Sequence, residues 1–284
     1  MKKTISLVLL IAAFAACQAR EIPLHCPEDT VTINRLLTLL RGEDIPVGDR
    51  MAIVAENLVG ADEDDYYLTD SVGYLRINMD SFTPLMFVNN MIALAKASDA
   101  PGNPDWHTFR NEFIDISCRR GDNGGYPSIM YHTSDWIGDN VSRGNLRELT
   151  EDYAGVVART KSLDEMTRKR TDYAPLADST TFETIRMIEM GFRTHRVPTL
   201  KKETIKKKEI IEDLRDGDII LLVPNRDGID MYDIGIVKKE NGVPYFIHLS
   251  PQTHQVVKEK DDLSRYMALM TKHFQGYRLL RVKD

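Results

Sequence analysis

Apolar residues recur at spacings of three and four through the first half of the chain, as in helices with one buried face. The first helical region covers residues 30–60, with Gly42 and Gly60 as natural stops. A second helix is predicted to begin at Thr83, a good N-cap, followed by Pro84 at the position where no backbone N–H is needed. Its predicted buried stripe consists of Phe87, Val88, Met91, Ile92, Leu94 and Ala95.

The last third of the chain, after one more predicted helix, changes to short apolar runs typical of strands. The predicted strands cover residues 216–223, 233–237, 243–249 and 277–282, and Asn-Gly or Asp-Gly turns separate several of them. Helices followed by an antiparallel sheet predict an α+β fold. Because no repeat, low-complexity stretch or clear linker interrupts the pattern, residues 20–284 are predicted to form a single domain.

The N-terminus has the pattern of an export signal over residues 1–19, with two lysines before an apolar run. That run is about ten residues long, whereas a membrane-spanning helix needs roughly 20. Residues 14–17, Phe-Ala-Ala-Cys, loosely match a bacterial lipoprotein box in which Cys17 would be lipidated, and cleavage after Ala19 fits as well. We therefore expect a periplasmic protein or outer-membrane lipoprotein, or a secreted protein, with no membrane contact beyond a lipid anchor.

The net charge, the cysteines and the histidines indicate which partners, disulfides and metal sites the chain can have. The formal net charge of −6 argues against nucleic acid. Apart from Cys17, the chain contains Cys26 and Cys118, which in an exported protein either form a disulfide or remain two buried thiols. His132 and Asp135 are three residues apart, but nothing near them completes a metal-ligand set, so we expect no metal or other cofactor.

Three blocks of sequence, at residues 74–95, 125–137 and 214–237, resemble one known family in the same order. This is the family of NlpC-type papain-like cell-wall hydrolases, and within it a bacterial subfamily of N-acetylmuramoyl-L-alanine amidases long catalogued as a domain of unknown function. The resemblance implies a papain-like core in which N-terminal helices pack on a C-terminal antiparallel sheet or open barrel.

The family's catalytic helix begins with a motif close to Asp-Cys-Thr-Thr-Phe-Val-Glu, and its cysteine attacks the amide carbonyl. A helix N-terminus favours the reactive thiolate because its partial positive charge lowers the thiol pKa. Counting six residues from Asn78 places Pro84 at the cysteine position, with Phe87 and Val88 retained. Proline has neither a nucleophile nor an N–H for an oxyanion hole, and losing one such donor costs on the order of 100-fold in rate.

The family's general base is also replaced. Its strand reads roughly Gly-Leu-Asp-Val-Ser-His-Val-Gly-Ile, and here Asp233 stands in place of the histidine, so the resemblance has Asp233 facing Pro84. A carboxylate with a pKa of about 4 is a poor base for a thiol with a pKa of about 8.5. His248 matches the third polar member of the family's site, although a lone strand histidine is more often an ordinary core or edge residue.

The resemblance places four residues near a substrate cleft, where aromatic faces suit sugar rings and peptide stems. These are Tyr126, Tyr131, Asp135 and Trp136, with core packing as the alternative for Trp136. A relocated nucleophile is disfavoured. Ser81 would require a three-residue slip of the match, and Cys118 aligns with a non-catalytic aromatic position.

Three functional hypotheses follow from these residues. The first is a catalytically degenerate amidase homologue that binds a peptidoglycan fragment or an envelope protein, or acts as a scaffold. The alternative is an active N-acetylmuramoyl-L-alanine amidase or peptidoglycan endopeptidase with a non-standard nucleophile. The third is a purely structural envelope protein.

Overall fold

The computed structural model describes residues 23, 25–64, 73–121, 123–270 and 272–284. The predicted export signal and Cys17 lie outside the described residues. The helices are α1 (Pro27–Leu39), α2 (Val47–Asn57), α3 (Pro84–Ser98), α4 (Trp106–Ser117), α5 (Thr133–Arg143), α6 (Glu165–Arg168), α7 (Ser179–Met190), α8 (Lys208–Asp213) and α9 (Leu263–Leu269). In this part of the chain, no helix is both long and apolar enough to cross a bilayer.

One large sheet contains all the strands. They are β1 (Asp62–Glu63), β2 (Ser81–Phe82), β3 (Leu146–Glu148), β4 (Val156–Lys161), β5 (His195–Lys201), β6 (Ile219–Pro224), β7 (Asp233–Glu240), β8 (Val243–Ser250), β9 (Gln255–Lys258) and β10 (Phe274–Val282). Their order is β2-β1-β9-β8-β7-β6-β10-β5-β4, with β3 paired to β10. The β1–β2 pair is parallel, and the other pairs are antiparallel. The predicted α+β class is thus confirmed.

The four predicted strands correspond to β6, β7, β8 and β10, which are neighbours at the centre of the sheet. The turn between β7 and β8 consists of Asn241 and Gly242, with φ angles of 52° and 85°. Positive φ at both central residues is what a tight hairpin requires, and Asn-Gly adopts it at low cost. The turn predicted at residues 240–242 is therefore confirmed.

The sheet separates two apolar cores because side chains alternate between its faces. On one face, Ile234 and Ile236 of β7 pack with residues of α1, α2, α3 and α4. On the other face, Val237 of β7 and Phe246 of β8 pack with residues of α8 and α9. Successive residues of one strand therefore belong to different cores, which decides where each polar side chain of the strand can act.

Helix α3 begins as predicted: Thr83 is its N-cap, Pro84 is its first residue, and Thr83 Oγ1 accepts a hydrogen bond from the Met86 N–H at 3.4 Å. All six residues of the predicted stripe are buried, but burial extends further around the helix, to 13 of its 15 residues. Helices α1, α2 and α4 and the strands β7 and β8 contact it, so it is a central core helix. Its N-terminal end, at Pro84, is partly exposed, as is Lys96 near its C-terminal end.

The disulfide that the sequence allowed between Cys26 and Cys118 is not formed. Cys26 is exposed at the start of α1, where its thiol donates a hydrogen bond to Asp29 Oδ2 at 3.0 Å. Cys118 is fully buried at the end of α4.

Candidate functional site

A cavity of about 310 Å³ opens at the N-terminal end of α3. Residues Thr83, Pro84, Leu85 and Met86 form one wall. The loop before β7 contributes Ile229, Asp230 and Met231, and the segment before α5 contributes Met130, Tyr131 and His132. The position predicted for the nucleophile therefore does lie in a cavity.

No cysteine or serine side chain lines this cavity within the part of the chain that the structure describes. The Thr83 hydroxyl accepts the capping hydrogen bond of α3. Ser81 lies outside the lining, and its hydroxyl donates to the Asp64 carboxylate at 3.2 Å. Cys118 is buried elsewhere, and the hydrogen bond to Asp29 raises the pKa of Cys26 and keeps that thiol neutral. Neither cysteine resembles an activated nucleophile.

The expectation that Asp233 faces Pro84 is wrong. Ile234 and Ile236 point toward α3, so strand alternation directs Asp233 to the opposite face of the sheet. There the Tyr266 hydroxyl of α9 donates a hydrogen bond to Asp233 Oδ2 at 2.9 Å. Neither Asp233 nor His248 lines the cavity beside Pro84 among the described residues.

His248 forms an ion cluster with Asp233 instead. Its Nδ1 lies 2.8 Å from Asp233 Oδ2, and its Nε2 donates to Glu259 Oε1 at 3.0 Å. Burial alone would lower the pKa of His248, but the two carboxylates outweigh it and raise the pKa to about 9. Gly235 is required opposite the histidine, since a Cβ there would lie 2.6 Å from His248 Cβ.

A second buried cluster, which sequence reasoning missed, includes Asp230 and His132 of the cavity lining and Glu189 behind it. The carboxylate of Asp230 accepts hydrogen bonds from the backbone N–H groups of Thr133, at 3.2 Å, and Ser134. Helix α5 has His132 as N-cap residue, but that side chain makes no capping hydrogen bond. Asp230 supplies the cap from the loop before β7, and so fixes that loop against α5.

His132 Nε2 lies 2.8 Å from Glu189 Oε1 of α7. Burial would lower the pKa of His132, but the bond to Glu189 and the charge of Asp230 raise it. Burial would raise the pKa of Glu189, but the bonds from His132 and Thr167 lower it. The pair is therefore an imidazolium–carboxylate ion pair that joins α5, α6 and α7 around the cavity.

Comparison with known families shows which family this chain belongs to. A family model described as AmiA-like, N-acetylmuramoyl-L-alanine amidase-like, matches residues 55–273. The chain belongs to the AmiA-like family. No match is found among curated proteins.

Three solved structures share the fold of this AmiA-like chain. An N-acetylmuramoyl-L-alanine amidase from Bacteroides uniformis is 24% identical, with a TM-score of 0.73 over 84% of this chain and 99% of that one. A Bacteroides fragilis protein provisionally named a xylanase is 27% identical, with a TM-score of 0.70 over 80% and 99%. A DUF1460 protein from Legionella pneumophila is 16% identical, with a TM-score of 0.69 over 90% and 95%.

The four residues predicted to bind substrate take different positions in the AmiA-like fold. Tyr131 lines the cavity, and the ring of Tyr126 packs against the ring of Tyr131, with centroids 4.8 Å apart. Asp135 forms an ion pair with Arg119 rather than joining His132. Trp136 is fully buried, and its Nε1 donates to the Ile116 carbonyl at 3.0 Å, so the core-packing alternative describes it. In the described ranges, no group of three or more His, Cys, Asp or Glu residues could hold a metal.

Proposed function

We propose that this AmiA-like protein binds peptidoglycan fragments without hydrolysing them. The observation that carries the proposal is Pro84 at the first position of α3, where the helix end opens on the cavity. The family resemblance assigns the nucleophilic cysteine to this position. Proline supplies neither a thiol nor a backbone N–H to stabilise an oxyanion.

The positions and charges of Asp233, His248 and His132 also support a non-hydrolytic role. Asp233 and His248 are held in an ion cluster on the other face of the sheet. His132 lines the cavity, but Glu189 and Asp230 raise its pKa and favour the protonated imidazolium. A protonated imidazole does not accept a proton, and Glu189 already occupies the Nε2 of His132, which argues against His132 as a substitute general base.

Two wider assignments belong to the same proposal. The core is of the NlpC type, supported by a helix whose N-terminal end meets a cavity beside an antiparallel sheet. The protein is exported, supported by the charge and apolar pattern of residues 1–19. Either a lipid at Cys17 or plain cleavage after Ala19 is compatible with that pattern.

The test is incubation of the purified protein with peptidoglycan and with anhydro-muropeptides, followed by chromatography. The proposal expects retention of intact muropeptide in stoichiometric amount and no new product. Cleavage that alanine replacement of Ser81, Cys118, Asp233 or His248 abolishes, in a variant that remains folded, would establish the alternative, an amidase or endopeptidase with a different nucleophile. If the protein retains no fragment, and no fragment raises its melting temperature, the third hypothesis, a structural envelope protein, is supported.

A further inference from the structure

The cavity beside Pro84 has a wall of thioether and aliphatic groups. Met86, Met130, Met166 and Met231 line it together with Leu85 and Ile229. Met86, Met130 and Met166 are almost fully buried, and Met231 is partly exposed. Methionine side chains are flexible and adapt to irregular apolar ligands. Such a wall fits an alkyl chain better than a sugar, whose hydroxyl groups need many hydrogen-bond partners.

The charged groups of the lining are mostly acidic. Glu63, Asp64, Glu165 and Asp230 line the cavity, and His132 is the basic member of that set. Because Glu189 bonds to His132, the imidazolium charge is balanced from behind the wall. Glu165 and Asp230 are buried, so Glu63 and Asp64 are the carboxylates of the lining that a ligand meets.

The cations that pair with these carboxylates approach them from outside the lining. Lys169 Nζ lies 2.7 Å from Glu165 Oε1, and Arg226 lies 3.3 Å from the same oxygen. Arg76 lies 4.0 Å from Asp64, and the exposed imidazole of His254 lies beside Glu63. Among the described residues, none of these four basic side chains lines the cavity. An anionic group entering the cavity would meet carboxylates first, and a cationic group would be attracted.

We propose that the cavity takes an alkyl arm that ends in an ammonium group. In a peptidoglycan fragment, this chemistry belongs to the diamino acid of the stem peptide, so the cavity selects the peptide and not the glycan. The methylene groups pack on the methionine wall, and the ammonium lies toward Glu63 and Asp64. This assignment rests on the proposed function and names the part of the fragment that is recognised.

The experiment is isothermal titration of the purified protein with three peptides. The first is L-Ala-γ-D-Glu-L-Lys, the second is the same peptide acetylated on the lysine Nε, and the third has glutamate in place of lysine. The lysine peptide is expected to bind at least about tenfold more tightly than the other two. Added salt should weaken its binding but not that of the acetylated peptide. Equal affinities for the three peptides would overturn the proposal.

Two variants separate the charge from the apolar wall. Glu63→Gln combined with Asp64→Asn should remove the preference for lysine over acetyl-lysine, while Met231→Ser should weaken both peptides to a similar degree. Glu209→Gln removes a carboxylate from an exposed ion pair on α8 and is the matched control. A double variant that folds normally and keeps the lysine preference would contradict the assignment.

The outcome also distinguishes this inference from the proposed function. Retention of intact muropeptide without any preference among the three peptides would sink the inference and leave the proposed function standing. Hydrolysis of muropeptide with the lysine preference retained would do the reverse. Binding of neither muropeptide nor peptide would overturn both.

Discussion

His248 Nδ1 lies 2.8 Å from Asp233 Oδ2 on the face of the sheet that is turned away from α3. Both side chains are almost completely buried; Tyr266 donates a hydrogen bond to Asp233, and Glu259 accepts one from His248. The two residues that the family resemblance places in a catalytic site thus form a buried structural ion pair. The ion pair lies apart from Pro84, so the role of the pair and the role of Pro84 can be tested separately.

The first prediction concerns the stability of the ion pair. His248→Gln leaves the buried carboxylate of Asp233 without its positive partner, which costs about 3 to 5 kcal/mol in comparable buried pairs. Urea unfolding should show this loss in the free energy of unfolding. His107→Gln, at an exposed histidine on α4, should change it by less than about 0.5 kcal/mol. Equal stabilities of the two variants would show that the pair contributes nothing.

The second prediction is a pH dependence. The pKa of His248 is raised from 6.5 to about 9 in the folded protein. Its stabilising contribution is therefore complete below the unfolded pKa and is lost as pH rises through about 9. Thermal unfolding between pH 6 and pH 10 should show this loss, and the His248→Gln variant should lack it. A stability that rises over the same interval would contradict the assigned charge state.

The third prediction concerns the cap of α5. Asp230→Ala removes two hydrogen bonds to the backbone of Thr133 and Ser134 and leaves His132 with less negative charge nearby. We expect a loss of about 2 to 3 kcal/mol in the free energy of unfolding. Asp227→Ala, at an exposed position in the same loop, is the matched control. A neutral Asp230→Ala variant would mean that α5 is not held by this carboxylate.

The fourth prediction concerns attempted restoration of the active site. Pro84→Cys combined with Asp233→His should not produce hydrolysis, because the new imidazole would lie on the face of the sheet opposite the new thiol. The single variant Pro84→Cys is the control for any activity of the thiol itself. Muropeptide cleavage by the double variant, but not by the single one, would place residue 233 in the cavity.

Local features of the fold were predictable from the sequence. The start of α3 followed from Thr83 and Pro84, and the β7–β8 hairpin followed from Asn241 and Gly242, because both signals depend only on neighbouring residues. The extent of burial of α3 was not predictable in this way. Helices α1, α2 and α4 and strands β7 and β8 contact the helix, and most of these neighbours come from distant parts of the chain.

In the candidate site, too, some features could be predicted from the sequence and others could not. The position of Pro84 at a cavity followed from the order of sequence blocks. The family resemblance assigns Asp233 to a strand position but does not say which face of the sheet its side chain takes. Because Ile234 packs toward α3, strand alternation places Asp233 on the opposite face. Asp230 and Glu189 reach α5 and His132 from sites 97 and 57 residues away, so no local pattern could have found them.

The most direct test of the central claim is a time course with one purified disaccharide tetrapeptide, in which mass spectrometry follows the substrate and amine labelling follows the alanine α-amino group that cleavage would expose on the stem peptide. The predicted result is an unchanged substrate mass and no labelled alanine, with the fragment retained by the protein in a one-to-one ratio. Steady release of the stem peptide, at a rate that a single substitution in the protein abolishes, would contradict the account.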